Sequence, residues 1–379
     1  MSHENYQQCN FCVMDTSDPA IVFDDKGVCN HCIGARKSLN ALGNKQERME
    51  NIRVQVGAIK SRNANKPYDV IMGVSGGVDS SYALIKAKEL GLRILAVHCD
   101  TGWNSEIAVA NIKNLVDKLS IDLETVVVDW NSIRGLQRSF FKASVSNCDI
   151  PQDHAIVAVN NQISSKLGIK DFISGGNLSG EAIMPSAWGY DARDLKHLKA
   201  INKHFDNVSL GNYPKLSAFM SYFYLPFVKG IRNYRMLNDL EYNPMQAKEE
   251  LMNGYGWKDY GGKHHESVFT RFYQAFYLPE KFGFDKRKGH LSSLIAADYI
   301  SRQDALDALK VESYDAMRLK EDKKYFLKKL GFSESEWNGI MKAKPVSHLD
   351  FPTNRALHNL ITAVKVKVES MGIKVRRSW

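Results

Sequence analysis

Val74-Ser75-Gly76-Gly77-Val78-Asp79-Ser80-Ser81 decides how this chain folds, because it joins an apolar strand-like run, Asp69 to Val74, to an amphipathic helical pattern from Tyr82 onward. A glycine-rich turn between strand and helix is a phosphate cradle. Its backbone N–H groups lack intrahelical partners and stand at the positive end of the helix dipole, and glycine lets a polyanion approach without a Cβ in the way. ATP or a related phosphate ligand is therefore expected on Ser75, Gly76, Gly77, Val78, Asp79 and Ser80. The loop is not a Walker A motif, which closes on Gly-Lys-Ser/Thr, and it is not G-x-G-x-x-G. An ordinary turn capped by Ser80 or Asp79 would carry the same letters, so the rest of the chain must decide.

The order Ser-Gly-Gly-Val-Asp-Ser resembles the PP-loop of the ATP pyrophosphatase superfamily. That resemblance implies splitting of ATP into AMP and pyrophosphate with adenylation of a carbonyl-type oxygen. Around the loop, strand-like runs at Val70 to Val74, Ile94 to His98, Glu124 to Val128 and Asp171 to Ser174 alternate with helical patterns near Ser80 to Glu89, Ser105 to Leu119 and Ala155 to Leu167. Alternation of this kind predicts an α/β fold, a parallel sheet with helices on both faces and the ligand beyond the carboxyl ends of the strands. The expected organisation is a cysteine-rich ribbon over 1–38, a helical linker over 39–66 and a PP-loop domain of the adenine nucleotide alpha hydrolase type over 67–185. A mainly helical substrate and partner region over 186–379 completes it. Within the linker, Leu42, Met49, Ile52, Val56 and Ile59 fall at mostly helical spacing. The second strand ends in Asp100 and the fourth runs into Gly176, Asn177 and Glu181, all expected near the nucleotide. Asp79, Asp100, Asp153 and Glu181 are candidate magnesium carboxylates, since Mg²⁺ takes a few carboxylates with phosphate and water. Each is also a candidate helix cap.

Cys9-x2-Cys12 and Cys29-x2-Cys32, sixteen residues apart, have the spacing of a four-thiolate zinc site, with Asp24-Asp25-Lys26-Gly27 as the turn that folds one pair onto the other. Four protein ligands leave no open position, so such an ion would be structural and not catalytic. His31 lies between the second pair and is expected to face solvent. The chain has 379 residues, with 51 Lys plus Arg against 42 Asp plus Glu, a net charge of +9 that favours anionic partners. Apart from Lys286-Arg287-Lys288 and Arg376-Arg377 the basic residues are scattered, and no RNA-binding signature accompanies them, so nucleic acid is not expected. No run is long enough for a membrane span and Met1-Ser2-His3-Glu4-Asn5 is polar, so a cytoplasmic location away from membranes is expected.

Beyond Pro185 the pattern turns aromatic and helical, and its tyrosines read as core. The run Lys263-His264-His265-Glu266-Ser267, continuing through Arg271 to Lys286, Arg287 and His290, mixes groups that packing does not explain. With Cys9-x-x-Cys12-Val13-Met14-Asp15-Thr16, Gly27-Val28-Cys29-Asn30-His31-Cys32 and the PP-loop, it resembles the N-acetyl sugar amidotransferase family of bacterial surface-glycan biosynthesis over nearly the full chain. The resemblance implies ATP-dependent conversion of a sugar acetamido group into an acetamidino group, through an O-adenylated imidate. Ammonia would come from a separate class I glutaminase subunit, as no glutaminase nucleophile is placed in this sequence.

In that scheme Asp79, Lys263, His264, His265 and Glu266 are the catalytic candidates, and Asp153, Arg271, Lys286, Arg287 and His290 the residues for an anionic acetamido sugar. The segment Asn147 to His154 falls where PP-loop RNA thiolases carry paired cysteines; this chain offers Cys148 alone, with Cys99 in the second strand, which disfavours sulfur transfer. A tRNA-modifying PP-loop enzyme and a non-catalytic zinc-ribbon scaffold stay as alternatives. The apolar stripe Leu357, Leu360, Ile361, Val364 and Val368 reads as a C-terminal helix facing core.

Overall fold

A computed structural model describes residues 6–371; the polar start at 1–5 and the pair Arg376-Arg377 lie outside the described residues. The cysteine module leads into α1 (Asn30–Asn40) and then α2 (Lys45–Arg62). The start of α2 is fixed reciprocally, as the Asn44 side chain accepts from the Glu47 N–H and the Glu47 carboxylate accepts from the Asn44 N–H. Its stripe buries Ile52, Val56 and Ile59, while Met49 stands in solvent.

Five parallel strands follow: β1 (Val70–Gly73), β2 (Ile94–Asp100), β3 (Asp122–Val127), β4 (Asp171–Ile173) and β5 (Arg232–Tyr234), ordered β3-β2-β1-β4-β5. The connecting helices are α3 (Val78–Glu89), α4 (Glu106–Leu119), α5 (Trp130–Lys142) and α6 (Ile150–Leu167). The two-residue period of β1 sends Val70 and Met72 into one core with Ile52, Ile59, Ala83 and Ile85, and Ile71 into another with Leu95, Val97, Val159 and Phe172. From β1 the chain steps outward to β2 and β3, then crosses to the other side for β4 and β5. The reversal falls between β1 and β4, so the crevice opens beyond their carboxyl ends, where the glycine-rich loop lies.

Two elements escaped the sequence reading. β5 is a three-residue edge strand held to β4 by backbone pairing, from the stretch assigned to the helical half, and an edge strand this short needs no apolar alternation. α5 buries Ile133, Leu136, Phe140 and Phe141, a helical spacing that was legible.

The later helices are α7 (Leu178–Glu181), α8 (Leu195–His204), α9 (Pro244–Tyr255), α10 (Val268–Phe272), α11 (Leu278–Phe282), α12 (Lys286–Ala296), α13 (Arg302–Lys310), α14 (Ala316–Leu330), α15 (Glu334–Lys342) and α16 (Arg355–Ser370). A third core gathers Trp103, Phe141, Phe269, Phe272, Phe326 and Trp337, and the four cysteines belong to the same cluster. The cysteine module is docked on α12 and α13: the Val13 N–H donates to Ser292 Oγ at 3.3 Å, the Arg302 guanidinium donates to the Cys9 and Cys12 carbonyls, and Lys288 pairs with Asp15.

The expectation that the α16 stripe is core fails, since Leu357, Leu360 and Val364 are exposed. Amphipathic spacing fixes which residues share a face, not whether a neighbour covers it. No helix among the described residues is long and apolar enough to cross a membrane.

Candidate active site

The loop after β1 has the geometry of a cradle. Gly77 is the cap residue of α3 with no capping side chain, so the reading of Ser80 or Asp79 as an ordinary cap does not hold. Gly76 has φ +78°, and a Cβ there would stand 2.5 Å from the Ala108 carbonyl oxygen. Its own carbonyl accepts from Trp257 Nε1 at 3.0 Å, and the first-turn amides of α3 have no intrahelical acceptor. One of them, the Val78 N–H, donates to the Tyr260 hydroxyl at 3.2 Å. Ser75 and Ser80 bring their hydroxyls to 3.3 Å of each other across the loop.

The segment 256–267 is laid over this loop by backbone pairing. Asn104 and Ser267 form an antiparallel bridge, the Ser105 N–H donates to the Glu266 carbonyl at 2.9 Å and the Val268 N–H to the Trp103 carbonyl at 3.0 Å. Glu266 is thereby delivered to the loop, where its Oε1 accepts from Ser75 Oγ at 3.3 Å while the buried Oε2 has no donor. Burial pushes its carboxyl up to about 7, with the Asp79 charge adding to the effect. Lys263 Nζ sits between Asp79 Oδ2 at 3.1 Å and Glu181 Oε1 at 3.2 Å. Burial works against its charge, but Glu181 and Asp79 outweigh burial and hold the ammonium above its ordinary value. Tyr242 donates its hydroxyl to Asp79 Oδ1.

The histidines are neutral. His264 is a left-handed residue, φ +65°, a strained conformation for a side chain of its size. Burial, then Lys263, drives it well below its ordinary value. Burial brings His265 down to about 4, with Arg271 and Arg318 adding to it, and His290 to about 3. His290 Nδ1 bonds the Gly180 carbonyl, which makes Nδ1 the protonated nitrogen and leaves Nε2 bare and without a donor.

These groups line a chamber of about 800 Å³ that runs from Ser75, Gly77, Val78, Asp79 and Ser80 past Gly176, Glu181 and the 263–266 run to Arg287, Tyr314 and Arg318. A second chamber of about 570 Å³ lies beyond the strand ends, bounded by Val74, His98, Cys99, Asp149 and Asp153. Ser75, Ser80, Gly175, His264, Glu266, Gln274 and Lys286 line both.

Some expected residues take other parts. Asp100 accepts from the Gly102 N–H at 2.7 Å and from Asn104, closing its own turn. Asn177 caps α7 by accepting from the Gly180 N–H. Arg271 is committed to Asp322 through two nitrogens and is no free clamp, although it borders the chamber. Arg287 is engaged by Asp285. Asp153 faces the second chamber. Asp79, Asp100, Asp153 and Glu181 do not converge: among the described residues, only Cys9, Cys12, Cys29 and Cys32 bring three or more metal-ligating side chains together, their sulfurs within 4.8 Å of one another. That cluster has the ligand set to hold a metal ion, and its shape follows from the Asp24 turn, where Asp24 Oδ1 accepts from the Lys26 and Val28 N–H groups. His31 stands outside it, paired with Asp18 at 2.6 Å. Trp257, Tyr260 and Tyr242 were missed as loop partners, because an aromatic residue reads as core unless its polar tip is seen.

Comparison with known proteins finds matches to two parts of the chain. Residues 266–365 match the family described as LPS biosynthesis protein WbpG-like, C-terminal domain, and residues 69–162 match Queuosine biosynthesis protein QueC. Among solved structures, NMN synthetase from Francisella tularensis aligns at 12% identity over 59% of this chain and 99% of that one, with a TM-score of 0.30. U34-tRNA thiolase NcsA from Methanococcus maripaludis with its 4Fe-4S cluster aligns at 15% identity over 82% of this chain and 91% of that one, with a TM-score of 0.33. No curated protein matches the chain. The glycine-rich loop on its parallel sheet lies in the QueC-like region, and the segment over it runs into the WbpG-like match, so the chain joins a PP-loop-type domain to a WbpG-like C-terminal domain.

Proposed function

We propose that the protein is an ATP-dependent amidotransferase that converts the acetamido group of an anionic, nucleotide-linked sugar into an acetamidino group, using ammonia from a separate glutaminase. The observation that carries the reading is the junction of the two matched regions: Glu266, at the start of the WbpG-like domain, bonds Ser75 of the phosphate loop. An amide carbonyl is a poor electrophile, so its oxygen attacks the α-phosphorus of ATP and pyrophosphate leaves. The first-turn amides of α3, with Ser75 and Ser80, stabilise the charge on the departing pyrophosphate. Glu266 takes the amide N–H proton as the oxygen attacks, a task suited to a carboxyl at about 7. Lys263 is the cation that leaves Asp79 and Glu181 for the phosphates. Magnesium neutralises triphosphate charge when bound, and Asp79 and Glu181 are the hard oxygen donors that would hold it. Ammonia then displaces AMP from the imidate carbon.

Zinc is the ion proposed for the cysteines, in a structural role. The Sγ atoms of Cys9 and Cys32 are 3.9 Å apart, those of Cys12 and Cys29 3.8 Å and those of Cys29 and Cys32 3.6 Å. A tetrahedron with Zn–S of about 2.3 Å has edges of about 3.8 Å. Backbone N–H groups of Phe11, Cys12 and Cys29 donate to Cys9 Sγ, as they would to a thiolate.

The test of the reaction is sugar-dependent ATP–pyrophosphate exchange across a panel of acetamido sugars, free and nucleotide-linked. Exchange with one of them supports the reading; exchange that requires tRNA instead selects the RNA-modifying alternative.

A further inference from the structure

The second chamber holds two carboxylates that the reaction above does not use. Asp149, the residue before α6, and Asp153, in its first turn, both line it. Asp149 makes no cap bond with its side chain; its Oδ1 accepts from Gln152 Nε2 at 2.5 Å, and Gln152 Oε1 in turn accepts from Thr101 at 2.6 Å. Gln152 thus aims Asp149. The Asp153 side chain is exposed to the chamber and has neither a hydrogen bond nor an ion pair among the described residues.

Of the other titratable groups facing them, Lys286 alone opposes their charge, and it does so without an ion pair to either. Lys286, from α12, sits over the Tyr273 ring at 5.9 Å and pairs with neither carboxylate. His98 is engaged by the Val74 carbonyl at 3.0 Å and by Asn104 at 2.9 Å. Burial, then Asp100, pushes the Cys99 thiol up to about 12, so it is uncharged. His264 is neutral, for the reasons given above. An independent observation says what is missing. Glu266 is 9% exposed and its Oε2 has no donor, and Asn160 Oδ1 and Asn233 Oδ1, lining the same chamber, are also buried acceptors without donors. Among the described residues, every unsatisfied buried side-chain atom lining this chamber is an acceptor, so its ligand is rich in donors, and the carboxylates make it a cation.

We propose that Asp149 and Asp153 form the site at which ammonia is received as ammonium ion and gives up its proton, a step that rests on the amidotransferase reading. One N–H bond of the ammonium breaks and its proton passes to the Asp153 carboxylate. The freed lone pair forms the C–N bond to the imidate carbon, and the C–O bond to AMP breaks with its electron pair leaving on AMP. Asp153, open to the chamber and next to the Asp149 carboxylate, is placed to take that proton.

The test uses the full chain with Asp153→Asn and Asp149→Asn. Ammonium-driven amidine formation should fall ~100-fold relative to sugar-dependent ATP–pyrophosphate exchange in the same preparation. Hydroxylamine, neutral at neutral pH, should restore product formation. Crystals of the wild-type protein soaked in thallium(I), a cation of ammonium size, should show anomalous density between the two carboxylates that the doubly substituted protein lacks. An unchanged KM for ammonium, a parallel loss of exchange, or thallium bound elsewhere overturns the proposal. Wild-type protein without exchange on any acetamido sugar would sink the reaction reading, while the thallium result still decides the cation site.

Discussion

Glu266 concentrates the account in one side chain. Its carboxyl is raised to about 7 by burial, so a base at this position is ionised only above that value and activity should climb with pH through it. Glu266→Gln should lose ~100-fold in turnover together with that rising limb of the pH–rate profile. The same shift is a stability statement. The folded chain holds the Glu266 proton more tightly than the unfolded chain, so stability falls as pH rises from the ordinary carboxyl value of 4.5 through about 7. Glu266→Gln should therefore raise Tm at about pH 8 and leave it nearly unchanged at about pH 4, and the opposite order would contradict the burial. Gly76→Ala meets both a left-handed φ and the Ala108 carbonyl, and should cost more than about 1 kcal/mol along with ATP binding, read by denaturant melts and nucleotide titration. Lys263 and Glu266 were legible in the sequence because a run of charged groups and histidines between glycines has no packing explanation. The local bonds of Asp100, Asn177 and Arg271 were not legible, because a carboxylate closing its own turn, a cap and a buried ion pair use the same letters as a ligand.

At the scale of elements, α12 joins the cysteine module to the site. Lys286 and His290 face the chambers from it, while Lys288 and Ser292 hold Asp15 and Val13 of the module. Asp15 is fully buried, so Asp15→Asn should destabilise the chain by about 3 kcal/mol or more, because Lys288 loses its partner. Removal of the bound metal by a strong chelator should speed hydrogen exchange across 286–296 while 78–89 keeps its protection; equal loosening of both would deny that the module positions α12. Most of the helix–strand alternation was readable, because β1, β2 and β4 are apolar and α3, α4 and α6 are long, although α5 escaped. β5 was not, since pairing with β4 rather than its own side chains makes Arg232–Tyr234 a strand.

Across the whole molecule, the fold supplies a switch point between β1 and β4, and the WbpG-like domain covers it. The sequence could show both halves, yet it held no sign of the contact that unites them, because the Asn104–Ser267 bridge spans parts of the chain that no local pattern connects. That contact brings the Glu266 wall shared by the two chambers against the loop. The most direct measurement incubates the purified protein with ATP, magnesium, ammonium and nucleotide-linked acetamido sugars, and follows AMP, pyrophosphate and the mass of the sugar. The account predicts equal amounts of AMP and pyrophosphate and a sugar one mass unit lighter, from exchange of O for NH; AMP release that needs tRNA, or no AMP with any sugar, would contradict it.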